Sequence, residues 1–167
     1  SEARALDGKR VHMAIIDELH AHPTSLVVDK VQAGTKGRRQ PLIIEITNSG
    51  YDRQSVCFQH HQYSAQILEG ILEDDGWFSY VCQLDTCEKC RSEGKVSPSE
   101  GCAACVDWRD ETLWTKANPN LGVSVTLKYL REQVREAAGM PAKASIVKRL
   151  NFCIWTESIS RWIDTDV

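Results

Sequence analysis

Val11-His12-Met13-Ala14-Ile15-Ile16-Asp17-Glu18 is a short, nearly continuous apolar run that ends in two adjacent carboxylates. Such a run is expected as a strand buried on both faces of a parallel sheet. Open parallel sheets place their ligand sites at the carboxyl ends of their strands, which is where Asp17 and Glu18 would stand. A second run, Leu42-Ile43-Ile44-Glu45-Ile46, opens after Pro41 and stops at the turn formers Thr47-Asn48-Ser49-Gly50. Between the two runs, residues 25–33 carry Leu26, Val27, Val28 and Val31 at helical spacing, and Gly34 and Gly37 then break the pattern. A short helix is predicted there.

Further out, residues 53–72 place Tyr63, Ile67 and Ile71, with Leu68 and Leu72 beside them, four apart. This spacing predicts an amphipathic helix ended by Asp74-Asp75-Gly76. Residues 77–84, rich in aromatic and β-compatible side chains, predict a third strand. Strand, helix, strand, helix, strand is the rhythm of a parallel α/β sheet. A polar segment from Asp85 to Asp107 interrupts it. Three helices are then expected: one opened by Asp110-Glu111, one from Thr126 to Ala138 closed by Gly139, and one from Ala142 to Trp155 after Pro141. The sequence thus divides into a sheet-bearing part at 1–84, an insertion at 85–107 and a helical part at 108–167.

Composition limits the chemistry. With 42% hydrophobic and 26% charged residues among 167, the chain matches one globular domain with a genuine core. Its longest apolar stretches are far too short to cross a bilayer, and no signal-peptide layout opens the chain, so a cytoplasmic protein is expected. A net charge of −3 offers no global attraction to nucleic acid. Local basic groups, Lys36, Arg38 and Arg39, then Arg131, Arg135, Lys143, Lys148 and Arg149, read as solvated charges on a turn and on helix faces.

An aspartate at a strand end can hold Mg²⁺ through water in P-loop NTPases, and an adjacent glutamate can orient or deprotonate the attacking water. Asp17 and Glu18 fit those roles, against the plainer reading of strand-end carboxylates that cap the next helix. Thr47, Asn48 and Ser49 would lie on the same rim, either sensing a γ-phosphate or simply forming an Asx-type turn. His20 and His22 read as hydrogen-bonded groups at a helix start, and His60 and His61 as solvated.

Seven cysteines in a chain without a secretion signal point to metal binding or burial rather than disulfides. Cys57 and Cys153 stand alone among apolar neighbours and read as core. Cys87-x-x-Cys90 and Cys102-x-x-Cys105, eleven residues apart, have the layout of a zinc ribbon in which two turns each present two thiolates. Four thiolates leave zinc no open position, so the expected site is a structural staple.

Four strings together resemble the large subunit of tailed-phage terminases: Ile16-Asp17-Glu18-Leu19-His20-Ala21-His22-Pro23, Ile46-Thr47-Asn48-Ser49-Gly50-Tyr51-Asp52, Trp114-Thr115-Lys116-Ala117-Asn118-Pro119-Asn120-Leu121-Gly122 and Lys148-Arg149-Leu150-Asn151-Phe152. The resemblance implies part of a P-loop NTPase parallel sheet, with Asp17 (Mg²⁺) and Glu18 as the Walker B acid pair. It makes Thr47, Asn48 and Ser49 the motif that couples hydrolysis to movement. It further implies Mg-ATP as cofactor of the complete protein, double-stranded DNA, portal and small terminase subunit as partners, a homo-oligomeric ring, and residence in the host cytoplasm. No G-x-x-x-x-G-K-[ST] string occurs, and Gly34-Thr35-Lys36-Gly37 lacks its spacing. In the family that loop is expected upstream of residue 1 and the nuclease carboxylates beyond Val167, so this chain alone is expected to be inactive on ATP. A DEAD-like helicase, whose string Asp17-Glu18-Leu19-His20 mimics, and a non-enzymatic zinc-ribbon interaction module are the competing readings.

Overall fold

The computed structural model describes residues 6–99 and 102–156. Strand β1 (Met13–Asp17) leads through a 3₁₀ turn at Leu19–Ala21 into helix α1 (Leu26–Gly34), and the chain returns as strand β2 (Leu42–Ile46). β1 and β2 pair in parallel with Met13 opposite Leu42 and Asp17 opposite Ile46. This is the βαβ unit expected, since parallel neighbours need a crossover helix. Helix α2 (Val56–Leu68) follows, its N-terminus capped by the Ser55 hydroxyl, which accepts from Phe58 N–H at 3.2 Å.

Helix α2 is shorter than its apolar repeat predicts. Gly70, at φ +70°, donates to Ile67 O, and Ile71 donates to Gln66 O, the paired bonds of a Schellman stop. A side chain at this φ is strained, so Gly70 ends the helix before Asp74-Asp75-Gly76 is reached. The buried turn of α2 is therefore Val56, Cys57 and Phe58, while Leu68 and Ile71 are exposed.

The expected third strand does not form: residues 77–84 run without sheet pairing. They are fastened by side chains instead. Trp77 donates through Nε1 to Ser64 and packs edge-on against His60 and Tyr63, Gln83 donates to Val96 O, and Leu84 is fully buried. β-compatible residues describe a fit to a pleated surface, and they do not supply the neighbouring edge. Nor are the two strands buried on both faces. Ala14, Ile16 and Ile43 meet α1 and α2, whereas Met13, Ile15, Leu42 and Ile46 are exposed.

Beyond the cysteine segment, which includes the short helix α3 (Glu88–Ser92), a 3₁₀ turn at Glu111–Leu113 is capped by Asp110 and runs into α4 (Trp114–Ala117). Helix α5 (Leu127–Gly139) is capped by Thr126, and α6 (Pro141–Phe152) begins with proline at its first position. α5 and α6 follow the predicted boundaries closely. The third predicted helix, however, ends at Phe152: Cys153 takes the left-handed conformation (φ 53°), and residues 154–156 follow without regular secondary structure.

Two cores result. One gathers Ile16, Leu19, Val28, Val31, Val56, Cys57 and Phe58 around the sheet. The other gathers Leu84, Trp114, Leu130, Val147 and Phe152 around the α5–α6 hairpin. The residues after α6 join them: Ile154 belongs to the second core, and Trp155 enters the first, edge-on to Phe58 at 4.8 Å. Backbone bonds hold this segment from both sides. Ser49 Oγ donates to Ile154 O (3.0 Å) and Arg149 O (3.3 Å), and Trp155 N–H donates to Ser97 Oγ (3.2 Å). Asn118 Nδ2 donates to Asn151 O at 2.8 Å, so a second late carbonyl of α6 finds a side-chain partner.

Two predictions follow from this backbone. Trp155→Ala should lower unfolding free energy by about 3–5 kcal/mol, the usual loss for a buried aromatic, read as a lower midpoint in urea. Glu18, at φ 52°, carries left-handed strain of roughly 1–2 kcal/mol, which Glu18→Gly removes while adding roughly 0.4–1 kcal/mol of unfolded-chain freedom. The strain is the larger effect, so Glu18→Gly should raise the urea midpoint slightly; a fall would show that the Glu18 side chain stabilises the fold.

Candidate functional site

Parallel pairing brings the ends of β1 and β2 to one rim. Asp17 closes β1 and is exposed, and its Oδ1 accepts the Glu18 N–H at 2.9 Å. Glu18 follows in the left-handed conformation, a sparsely populated state for a residue with a Cβ that recurs at functional sites. This bend turns the chain into the 3₁₀ turn, where Ala21 N–H donates to Glu18 O at 2.8 Å. The Glu18 side chain is 56% exposed, while that of His20 beside it is 15% exposed.

His20 and Thr47 meet across the rim. The His20 N–H donates to Thr47 Oγ1 at 2.9 Å, the ring Nδ1 lies 3.1 Å from the same oxygen, and Nε2 lies 3.4 Å from Glu18 Oε2. His22 Nε2 lies 3.3 Å from Asp17 O. Of the three residues at the end of β2, Thr47 alone contacts the carboxylate side in this way. Asn48 faces Cys153, whose thiol donates to its Oδ1 at 3.9 Å, and Ser49 is buried against the end of α6. The three side chains thus do not crowd the carboxylates as their sequence position implied. They span the distance from the acid pair to α6, because successive residues of an extended chain point to opposite sides.

Burial explains the remaining sheet-side groups. Cys57 is buried, and desolvation pushes its thiol up to about 11. Cys153 is raised by the same cause, so both behave as the core residues expected. His60 and His61 are not solvated. His60 Nδ1 sits 2.7 Å from Glu45 Oε2, and His61 packs near Trp155, where burial lowers its pKa. Signal for this inward face lay in the spacing, since His60 and His61 follow the apolar Val56 and Cys57 by four residues, one helical turn.

Of the basic residues of the helical part, Arg131, Arg135 and Lys143 are exposed as expected, whereas Lys148 and Arg149 are not. Lys148 and Arg149 are buried, the first over Trp108 and the second over Tyr51, and burial lowers the Arg149 pKa. Arg131 pairs with Glu111, and Lys143 with Glu136. Arg38 donates to Arg10 O.

The four paired cysteines converge. Cys87 caps α3 and its Sγ accepts the Cys90 N–H at 3.4 Å, while Cys105 N–H donates to Cys102 O to close the second turn. All four Sγ atoms lie within 4.8 Å of one another, and Cys87 and Cys102 stand 3.8 Å apart. A Zn–S bond of about 2.3 Å in a tetrahedron requires sulfurs about 3.8 Å apart, whereas a disulfide needs about 2.05 Å. The Ala104 N–H, followed by the Cys90 side chain, the Cys105 N–H and the Cys87 side chain, holds the Cys102 thiol down to about 6. At Cys87 the Cys90 N–H favours the thiolate, but burial and the neighbouring thiols outweigh it and push the group up to about 11. One thiolate forms readily and its neighbour resists, the behaviour of crowded sulfurs that a cation relieves. This cluster can hold a metal ion.

Cavities lie elsewhere. One of about 730 Å³ runs between β2, α2 and residues 76–83, reaching Thr47 but neither Asp17 nor Glu18. Another of about 570 Å³ separates the Cys102–Cys105 turn from the α5–α6 hairpin. No helix among the described residues is long and apolar enough to cross a membrane.

Comparison with known proteins accords with this division. A family model described as the terminase large subunit ATPase domain matches residues 1–66, and one described as the terminase large subunit endonuclease domain matches residues 101–167. The second match runs across the segment expected as a helical linker. Protein YmfN of Escherichia coli (strain K12) is 30% identical over 158 residues, covering 95% of this chain and 31% of that protein, so the chain spans under a third of its relative's length. No solved structure matches. With two parts of one large subunit matched in chain order, on either side of a cysteine cluster and with the acid pair inside the first, the chain belongs to the terminase large-subunit family.

Proposed function

We propose that this chain is the catalytic-carboxylate portion of a P-loop ATPase whose hydrolysis drives DNA into a phage capsid, in a large subunit longer than the chain itself. The observation that carries the reading is the β1–β2 register, which supports a shared rim for Asp17, Glu18 and Thr47. Asp17, exposed at the end of β1, would hold Mg²⁺, usually through water, and Glu18 would orient or deprotonate the attacking water. Mg-ATP, when bound, supplies the phosphoryl group and neutralises its developing charge. The left-handed bend and wide exposure of Glu18 support its carboxylate's reach toward water outside the sheet. Thr47, Asn48 and Ser49 would carry the coupling role, supported by their bonds from the acid side to α6. Duplex DNA, a portal, a small subunit and a ring of like subunits are the partners this activity requires.

The division we propose is an ATPase part at 1–84, a zinc-binding insertion at 85–107 and a helical connection at 108–167, with Leu84 and Trp155 each reaching into the other part's core. Cys87, Cys90, Cys102 and Cys105 would hold zinc as a closed structural site, replacing the apolar core that the segment lacks. Metal analysis of chain purified without chelator should find one zinc per chain, and Cys87→Ser with Cys102→Ser should abolish it; zinc content unchanged in that variant would remove the site.

The acid pair is tested in the complete large subunit. Glu18→Gln keeps the side chain's size but removes its charge, so ATP turnover should fall on the order of a hundredfold or more while nucleotide still binds. Asp17→Asn should in addition weaken Mg²⁺-dependent nucleotide binding. Near-normal turnover and packaging by Glu18→Gln would overturn the assignment.

A further inference from the structure

We propose that His20 is a positioning residue that transmits the state of the β2 terminus to the Glu18 carboxylate. The inference rests on Glu18 as the acid that acts on water. His20 joins the two sites by three contacts: N–H to Thr47 Oγ1 at 2.9 Å, Nδ1 to Thr47 Oγ1 at 3.1 Å, and Nε2 to Glu18 Oε2 at 3.4 Å. Its ring is largely buried, and the carboxylate it touches is mostly in water. A held ring against a free carboxylate sets the position of the latter, not the reverse.

The Thr47 hydroxyl makes this contact switchable. It has one proton and three acceptors within reach, His20 Nδ1 at 3.1 Å, Asn48 O at 2.9 Å and, more distantly, Cys57 Sγ at 3.6 Å. With the proton directed to Nδ1, neutral imidazole carries its own proton on Nε2 and donates it to Glu18. With the proton directed to Asn48 O, that tautomer loses its support, and the hold on Glu18 weakens. The choice depends on the Asn48–Ser49–Gly50 backbone, which is fixed from the far side. Ser49 is bonded to Arg149 O and Ile154 O, and a Cβ at Gly50 would lie 3.1 Å from the Trp155 ring and 3.6 Å from the His20 Cβ. A shift of the segment after α6 would therefore reach Gly50, whose carbonyl accepts the Thr156 N–H at 3.3 Å, then Thr47 and His20, and His20 passes it to Glu18.

The two ring nitrogens can be tested separately in the complete large subunit. The side-chain carbonyl oxygen of asparagine, placed where Nδ1 stands, can accept the Thr47 proton, and the amide nitrogen of glutamine, placed where Nε2 stands, can donate to Glu18. His20→Asn keeps the Thr47 contact and loses Glu18, whereas His20→Gln does the opposite. Each should lower kcat for ATP by about ten- to a hundredfold, the loss expected when a reacting group is mispositioned, with KM for ATP within about twofold and the thermal midpoint unchanged. Thr47→Val should match His20→Gln, and the double variant should be no slower than either single, because both break one chain of contacts. Wild-type kcat in His20→Asn would reduce His20 to a brace for Thr47, and multiplied losses in the double variant would show independent roles; either result overturns the proposal. Glu18→Gln, run alongside, separates the two claims. If it is inactive while every His20 variant is normal, only the His20 inference fails, and if it is itself normal, the acid assignment fails.

Discussion

Ile154 and Trp155 are consecutive residues buried in different cores, and the arrangement of the rest depends on that fact. Outside a helix, neighbouring side chains can point to opposite sides, so the short segment after α6 can close two hydrophobic clusters at once. A helix continued through Trp155 would have placed the two residues about 100° apart on one cylinder, and could not have done so. The left-handed Cys153 ends the helix and makes this possible. The Ile154 carbonyl and the Trp155 amide are then bonded by Ser49, from the turn after β2, and by Ser97, from the cysteine segment.

That closure bears on the acid pair through geometry alone. Gly50 accepts the Trp155 ring against its backbone, where a side chain would have to displace it. The turn after β2 is consequently seated between Trp155 and His20, and Thr47 is delivered to the rim in a fixed position. By contrast Glu18 is bent, exposed and strained. Its conformational cost is supported by the ordered turn around it. The cysteine cluster performs a separate task. Between Asp85 and Asp107 few apolar side chains are available, and four convergent sulfurs can organise the segment that presents Ser97 to Trp155.

Much of this was legible in the sequence because it depends on short-range physics. The β1 and β2 runs, the crossover helix α1, the caps at Thr126 and Asp110, the proline opening α6 and the convergence of two Cys-x-x-Cys turns all follow from residues within a few positions of one another. The third strand was misjudged because strand propensity does not reveal whether a partner edge exists, and residues 77–84 were fastened by Trp77 and Leu84 instead. The end of α2 was misjudged for a local reason: the Gly70 stop outweighed an apolar repeat that continued past it.

The sequence by itself determined the acid pair at the end of a strand, the hydrogen-bonding trio at the end of the next and the family to which both belong, since motif spacing survives without coordinates. Tertiary structure alone decided which of the trio meets the acids. Thr47 turns to His20, whose ring reaches Glu18, while Asn48 and Ser49 turn to the end of α6, a hundred residues further along the chain. It also decided that His60, His61, Lys148 and Arg149 lie inward rather than in water. The physical reason is common to all of them: side-chain type and spacing state what a group can do, but its partners across the fold are chosen by packing between segments distant in sequence.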